Sequence, residues 1–178
     1  MAYIGTWGTY YHIPKCGGTS IKYYLKSRYR DGGDYTGGGL QHRPPGPDDD
    51  LTNAFTFVRH PADWLLSYFA YIEANNWHWV ECPKDIEEMF RFAEGMFWPT
   101  WIRAICSQAP GIVGRVYDLY CVPGVKVYHL EDANEIYGEE IGVKNVTEIK
   151  PVMTQAEWDL ICEAEKDTLE RYGYSNQR

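Results

Sequence analysis

The chain has 178 residues, 44% hydrophobic and 16% aromatic, which is enough to bury a core without staples and too apolar for disorder. Its formal net charge of −8 argues against non-specific nucleic-acid or anionic-membrane binding as its main business. Five cysteines (Cys16, Cys82, Cys106, Cys121, Cys162) are an odd number and no two have CxxC spacing, which points to reduced thiols rather than a disulfide framework or a zinc site.

No charged segment followed by an apolar core opens the sequence, and no apolar run reaches the ~18 residues that a membrane span needs. The expectation is a cytoplasmic protein with no membrane association and one domain over 1–178. Charge is uneven along it. Residues 1–30 hold Lys15, Lys22, Lys26, Arg28 and Arg30 and no carboxylate, whereas the rest holds 12 basic and 25 acidic residues. A locally basic start in an acidic protein suits a small anionic ligand held at one place.

In chain order, residues 8–13 predict a buried strand stopped by Pro14, and 18–29 a helix with an apolar face through Ile21, Tyr24, Leu25 and Tyr29. Residues 31–54 contain six Gly, three Pro and five Asp, so no regular element is expected there. A stretch of that kind inside a compact domain is usually functional or mobile, and His42 and Arg43 sit in its middle. Residues 54–58 predict a second strand. Pro61 opens a helix to about Asn75, with Asp63, Ser67 and Tyr71 forming a polar stripe. Helices follow at 84–94 and 98–108, a third strand at 125–129 and an acidic helix at 131–141. The closing helix is marked by a Thr154/Glu157 capping box and ended by Gly173. Strands alternating with helices imply an α/β domain with a mainly parallel sheet. The tryptophans Trp77, Trp79, Trp98 and Trp101 read as aromatic core in preference to a sugar-stacking surface.

Pro14-Lys15-Cys16-Gly17-Gly18-Thr19-Ser20 carries the chemistry. A strand ends, two glycines permit a tight backbone turn, and a helix begins whose first N–H groups and dipole favour an anion. Thr19 and Ser20 add hydroxyls and Lys15 a full positive charge. The lysine precedes the glycines, so this is not a Walker A loop. No arginine closes the loop after Cys16, so it is not a tyrosine-phosphatase loop either. Downstream, Arg59 ends a strand and Ser67 lies within the next helix. Six helical residues from Pro61 rise roughly 9 Å, so both can reach one phosphate, with a bidentate contact from the arginine.

His12-Ile-Pro-Lys-Cys-Gly-Gly-Thr-Ser-Ile21 resembles the 5′-phosphosulfate loop of sulfotransferases that use 3′-phosphoadenosine-5′-phosphosulfate (PAPS), and Phe57-Val-Arg-His-Pro-Ala-Asp-Trp-Leu-Leu-Ser-Tyr68 resembles their 3′-phosphate motif. Leu130-Glu131-Asp132 and Tyr172-Gly173-Tyr174 are similar to the carbohydrate-type (Golgi-type) branch. The chain departs from the family with Cys16 where Thr is usual, with Trp64 where a second arginine is frequent, and in its short length.

The resemblance implies a P-loop-like three-layer fold with a central sheet flanked by helices. It also implies sulfuryl transfer from PAPS to a hydroxyl acceptor, a carbohydrate or small molecule, leaving adenosine 3′,5′-bisphosphate. Lys15 would neutralise charge on the leaving phosphate oxygen. Cys16, through its backbone, with Gly17, Gly18, Thr19 and Ser20 would hold that phosphate, and Arg59 and Ser67 the 3′-phosphate. The scheme requires no metal. The family places its base, a His or Glu, between the two motifs, which selects His42. Arg43 is a further candidate for binding sulfate or acceptor. His12 is expected beneath the cradle, and His60, His78 and His129 as structural. The competing classes are a P-loop nucleotide kinase or other NTP-using enzyme, and a non-catalytic nucleotide-binding protein.

Overall fold

A computed structural model describes residues 2–29, 33–35, 42–77, 84–138, 141 and 151–178. His78, Trp79 and Cys82, and residues 36–41 of the glycine-rich stretch, lie outside the described residues. The chain opens on a hairpin. Strands β1 (Ala2–Gly5) and β2 (Gly8–Tyr11) pair antiparallel with Gly5 opposite Gly8, leaving Thr6 and Trp7 as a two-residue turn. Helix α1 (Gly18–Arg28) follows the Pro14 break, and β3 (Gly33–Tyr35) comes after it. Strand β4 (Phe55–Val58) leads into α2 (Pro61–Ala74), which has proline at its start and the His60 imidazole accepting from the Ala62 N–H at 3.2 Å.

Helix α3 (Lys84–Phe90) runs into a 3₁₀ turn at Arg91–Ala93, then come α4 (Trp98–Gln108) and α5 (Ile112–Asp118). Strand β5 (Lys126–His129) passes through a 3₁₀ turn at Leu130–Asp132 into the short α6 (Ala133–Tyr137). The Thr154/Glu157 capping box starts α7 (Gln155–Ala164), and α8 (Lys166–Arg171) closes the series.

The five strands form one sheet in the order β3-β1-β2-β4-β5. The protein is thus α/β with a mixed sheet and helices, not the mainly parallel sheet that strand–helix alternation suggested. Strand β1 runs antiparallel to both β2 and β3, while β2–β4 and β4–β5 are parallel. The tight hairpin adds one antiparallel strand ahead of β2. The glycine-rich stretch adds another, although no regular element was expected there. No helix among the described residues is long and apolar enough to cross a membrane.

Contacts divide the chain into two compact units. One comprises the described residues of 2–59 and 117–141, the other those of 60–77, 84–116 and 151–178. The first holds the sheet. On one sheet face Tyr10 stacks on Phe55 at 5.2 Å, Phe57 meets Tyr128 at 5.7 Å, and Tyr137 of α6 packs on both Phe57 and Tyr24 of α1. The buried Thr56 hydroxyl donates to the Tyr11 carbonyl at 2.8 Å, an extra tie between the central parallel strands.

The second unit is helical with an aromatic core. Trp64 stacks on Tyr68 at 4.7 Å, and Trp101 packs on Phe69 at 5.3 Å and on Phe90 at 5.9 Å. Trp98 and Trp101 are buried, in keeping with the core reading of the tryptophans. The closing helix is two helices, because Glu165 between them turns inward. Its carboxylate accepts from the Val113 N–H (3.0 Å), the Gly114 N–H (3.3 Å) and the Thr168 hydroxyl (2.7 Å), and so caps the start of α5. Gly114 has room for this arrangement only as glycine, since a β-carbon there would stand 2.5 Å from the Thr168 Oγ1. Burial raises the Glu165 pKa, against the pull of its three hydrogen bonds and of Arg115.

Glu165→Ala leaves two buried N–H groups and a hydroxyl without their acceptor. It is expected to lower stability by about 2–3 kcal/mol in urea titration, whereas a surface change at Glu163 stays within about 0.5 kcal/mol.

Candidate functional site

The cradle forms where β2 hands over to α1. The Cys16 N–H donates to the Ile13 carbonyl at 3.2 Å, closing a turn around Pro14 and Lys15. Lys15 at φ +63° and Gly17 at φ +68° both take the left-handed conformation. Gly17 does so freely, whereas for Lys15 the conformation costs roughly 1–2 kcal/mol. Such outliers persist where surrounding structure over-determines them, often at binding sites. Helix α1 then begins without an acidic residue in its first turn, and its first intrahelical bond runs from the Ile21 N–H to the Gly17 carbonyl at 3.0 Å. By helix geometry the amides ahead of that bond face outward and the dipole adds positive potential there.

Under this turn lies His12. A β-carbon on Gly18 would overlap the His12 imidazole, so the glycine lets the ring pack against the helix start. His42 reaches the same place from a sequence position thirty residues on. Its ring centroid is 4.2 Å from that of His12, and its Nδ1 is 3.1 Å from the His12 carbonyl oxygen. A carbonyl only accepts, so Nδ1 carries the proton and Nε2 carries the lone pair. That is the tautomer a general base needs. Burial lowers the His42 pKa to about 4, with Lys15 adding to the effect and the bond to His12 opposing it. Burial likewise drives His12 well down, helped by His42, Lys15 and Lys22. Both imidazoles are therefore neutral at pH 7.

Several bonds hold the His42 segment against the end of β2. The His42 carbonyl accepts from the Tyr120 hydroxyl. Arg43 donates to both Asp49 oxygens, at 2.8 and 2.5 Å, and Asp49 also accepts from the Tyr11 hydroxyl at 2.8 Å and the Gly46 N–H at 2.9 Å. Arg43 was a candidate ligand for sulfate or acceptor. Its guanidinium is instead engaged in a bidentate clamp that shapes the 42–50 segment. Burial alone would raise the Asp49 pKa, but the Gly46, Tyr11 and Arg43 contacts outweigh it and hold the carboxyl below its usual range.

Cys16 is fully buried, and burial pushes its thiol pKa far up, against Arg59 and a hydrogen bond with Tyr117. It is a thiol rather than a thiolate, so it offers the loop its backbone and not a nucleophile. Arg59 follows β4 directly. Its N–H donates to the Tyr117 hydroxyl at 3.2 Å, and that hydroxyl donates to the Arg59 carbonyl at 2.6 Å. The structure thus gathers Lys15, Cys16, Gly17, Gly18, Thr19, Ser20, His42 and Arg59 within the sheet-bearing unit. Ser67 lies in the helical unit, 7% exposed on α2 rather than on a polar surface stripe.

His60 and His129 were expected to be structural. His60 caps α2 and stacks on Trp158 at 4.4 Å, and His129 ends β5 beside Asp132. The residues that sequence reasoning passed over are Asp49, Tyr11, Tyr117 and Tyr120. Their one advance signal was the three-residue spacing of the two later tyrosines, which had no meaning until α5 was known to be a helix.

No family model, curated protein or solved structure matches this chain.

Both imidazoles have folded pKa values below the unfolded value of about 6.5, so the folded protein binds fewer protons than the unfolded chain between that pH and about 4. Their contribution is present above about pH 6.5 and is lost as pH falls through the folded values. Unfolding free energy should decline from pH 7 to pH 4, and His42→Asn should flatten part of that decline. A variant with the wild-type slope would contradict the assignment.

Proposed function

We propose that this protein is a sulfotransferase that moves a sulfuryl group from PAPS to a hydroxyl acceptor. The observation that carries the reading is the pairing of the Lys15–Ser20 cradle with a histidine whose Nδ1–H is committed to a carbonyl, leaving Nε2 as the basic nitrogen. The order β2, α1, β4, with β2 and β4 parallel, supports a P-loop-like arrangement in which the loop between β2 and α1 meets a phosphate.

PAPS brings an activated sulfuryl group on a phosphate that departs as adenosine 3′,5′-bisphosphate. The protein's part is then mostly positioning and charge stabilisation. Lys15 would meet the charge that grows on the leaving phosphate. The Cys16, Gly17 and Gly18 backbone, with Thr19 and Ser20, would hold that group. Arg59 and, on the sequence pattern alone, Ser67 would hold the 3′-phosphate, which favours this nucleotide over ATP. His42 Nε2 would take the acceptor's proton. Its neutrality at pH 7 keeps it available, and a bound polyanion nearby would raise its pKa and make it a stronger base. The acceptor would carry a hydroxyl, and the resemblance suggests a carbohydrate or a small molecule.

Melting temperature in the presence of adenosine 3′,5′-bisphosphate or of ATP with Mg²⁺ tests the reading. At a hundred times Kd, the bisphosphate should stabilise by about 2.7 kcal/mol, and ATP by much less. No shift with the bisphosphate would sink the proposal, and a larger shift with ATP would favour an NTP-using enzyme. With an acceptor found by screening, Lys15→Ala should weaken bisphosphate binding and transfer together, whereas His42→Ala should abolish transfer and leave binding intact. If His42→Ala binds the bisphosphate and still transfers, the base is another group. If no acceptor is sulfated while the bisphosphate binds, a non-catalytic nucleotide holder is the better description. The acid limb of kcat/KM should lie near pH 4, the free-enzyme value for His42, and the limb of kcat at higher pH, because protonation below those values removes the base.

A further inference from the structure

Two tyrosines, one in the last turn of α5 and one just past it, stand behind the two candidate motifs. Tyr117 and Tyr120 are three residues apart, so they share one side of the helical turn, and the turn continues past Tyr117 through bonds from the Tyr120 and Cys121 N–H groups to the Tyr117 carbonyl, at 2.9 and 2.8 Å. Both side chains are 0% exposed. The Tyr117 hydroxyl both accepts from and donates to the Arg59 backbone, and it hydrogen-bonds the Cys16 thiol inside the cradle loop. The Tyr120 hydroxyl donates to the His42 carbonyl. One turn thereby ties down the candidate phosphate-binding arginine, the cradle and the candidate base, from sequence distances of 58 and 78 residues for Arg59 and His42.

We propose that Tyr117 and Tyr120 are positioning residues of this site, Tyr117 fixing the backbone at Arg59 and Tyr120 fixing the backbone at His42. The proposal rests on the reading of Arg59 and His42 given above. Neither tyrosine touches a reacting atom. Each hydroxyl sets where another side chain starts, and small misplacements of such groups are costly to catalysis.

The test uses the full chain with Tyr117→Phe, Tyr120→Phe and, as a variant that loses a buried hydroxyl elsewhere, Thr168→Ala. Three quantities are read: Kd for adenosine 3′,5′-bisphosphate by calorimetry, the ring ¹⁵N shifts of His42 at pH 7, and hydrogen exchange of the Arg59 amide. Tyr120→Phe should move His42 from a single Nδ1–H form toward a mixture of tautomers. Tyr117→Phe should speed exchange at Arg59 and raise Kd about five- to tenfold, the loss expected for a displaced charged contact. Thr168→Ala should change none of these. Tyrosine variants that behave like Thr168→Ala, or that both alter all three readouts alike, overturn the proposal. If the wild type does not bind the bisphosphate, the sulfotransferase reading fails, and the His42 shifts and Arg59 exchange still decide the roles of the tyrosines. Phenylalanine keeps the ring packing. Should a variant not fold, the hydroxyl proton of the same tyrosine in the wild type takes its place. Slow exchange supports the bond, and exchange at the solvent rate overturns it.

Discussion

The His12 imidazole fills the volume that a side chain on residue 18 would need. That contact places the end of β2 directly beneath the first turn of α1, and the rest of the candidate site is arranged around it. With His12 seated, its carbonyl oxygen accepts from His42 Nδ1, and this brings a residue from the 42–50 segment against the His12 ring beneath the cradle. The bond also settles the proton inventory, because an imidazole that donates through Nδ1 must be basic at Nε2. A single missing β-carbon is therefore linked through packing to a hydrogen bond, and through that bond to an acid–base property.

The 42–50 segment is rich in proline and aspartate and has little apolar surface to hold it down. It is held by directional bonds. Asp49 collects the Tyr11 hydroxyl, the Gly46 amide and the Arg43 guanidinium, and Tyr120 takes the His42 carbonyl. Partial burial makes these bonds worth more than they would be in water. The same burial keeps His12 and His42 uncharged, so Lys15 carries the positive charge at the loop while the histidines stay neutral. The proposed role, attracting an anion and accepting a proton, needs that division of labour.

Local patterns showed through the sequence well. Pro61 after an apolar strand marked the start of α2, the Thr154/Glu157 box marked the start of α7, and Pro14 with two glycines marked the cradle. Features that depend on distant partners did not show. The β1 hairpin was missed because its two turn residues, Thr6 and Trp7, are not turn formers of the usual Asn-Gly kind. Helix α5 was missed because Gly114 sits inside it, where the reason for a glycine is the Thr168 hydroxyl more than fifty residues later. The closing helix read as continuous because Glu165 has an ordinary helical propensity, and only its buried partners on α5 explain the break. His42 was singled out by family pattern, whereas its tautomer and its ties to Tyr120 and Asp49 belong to the fold. Arg43 looked available for a ligand because nothing local reveals that Asp49 turns back onto it.

The central claim is that backbone amides from Gly17 to Ser20 grip a phosphate next to a neutral His42. Amide chemical shifts of the ¹⁵N-labelled protein, followed through a titration with adenosine 3′,5′-bisphosphate, address it most directly. Downfield proton shifts concentrated at Gly17, Gly18, Thr19 and Ser20, with a smaller response at His42, are the predicted result. Saturable shifts that leave those four amides unmoved, or no saturable shifts at all, would contradict it.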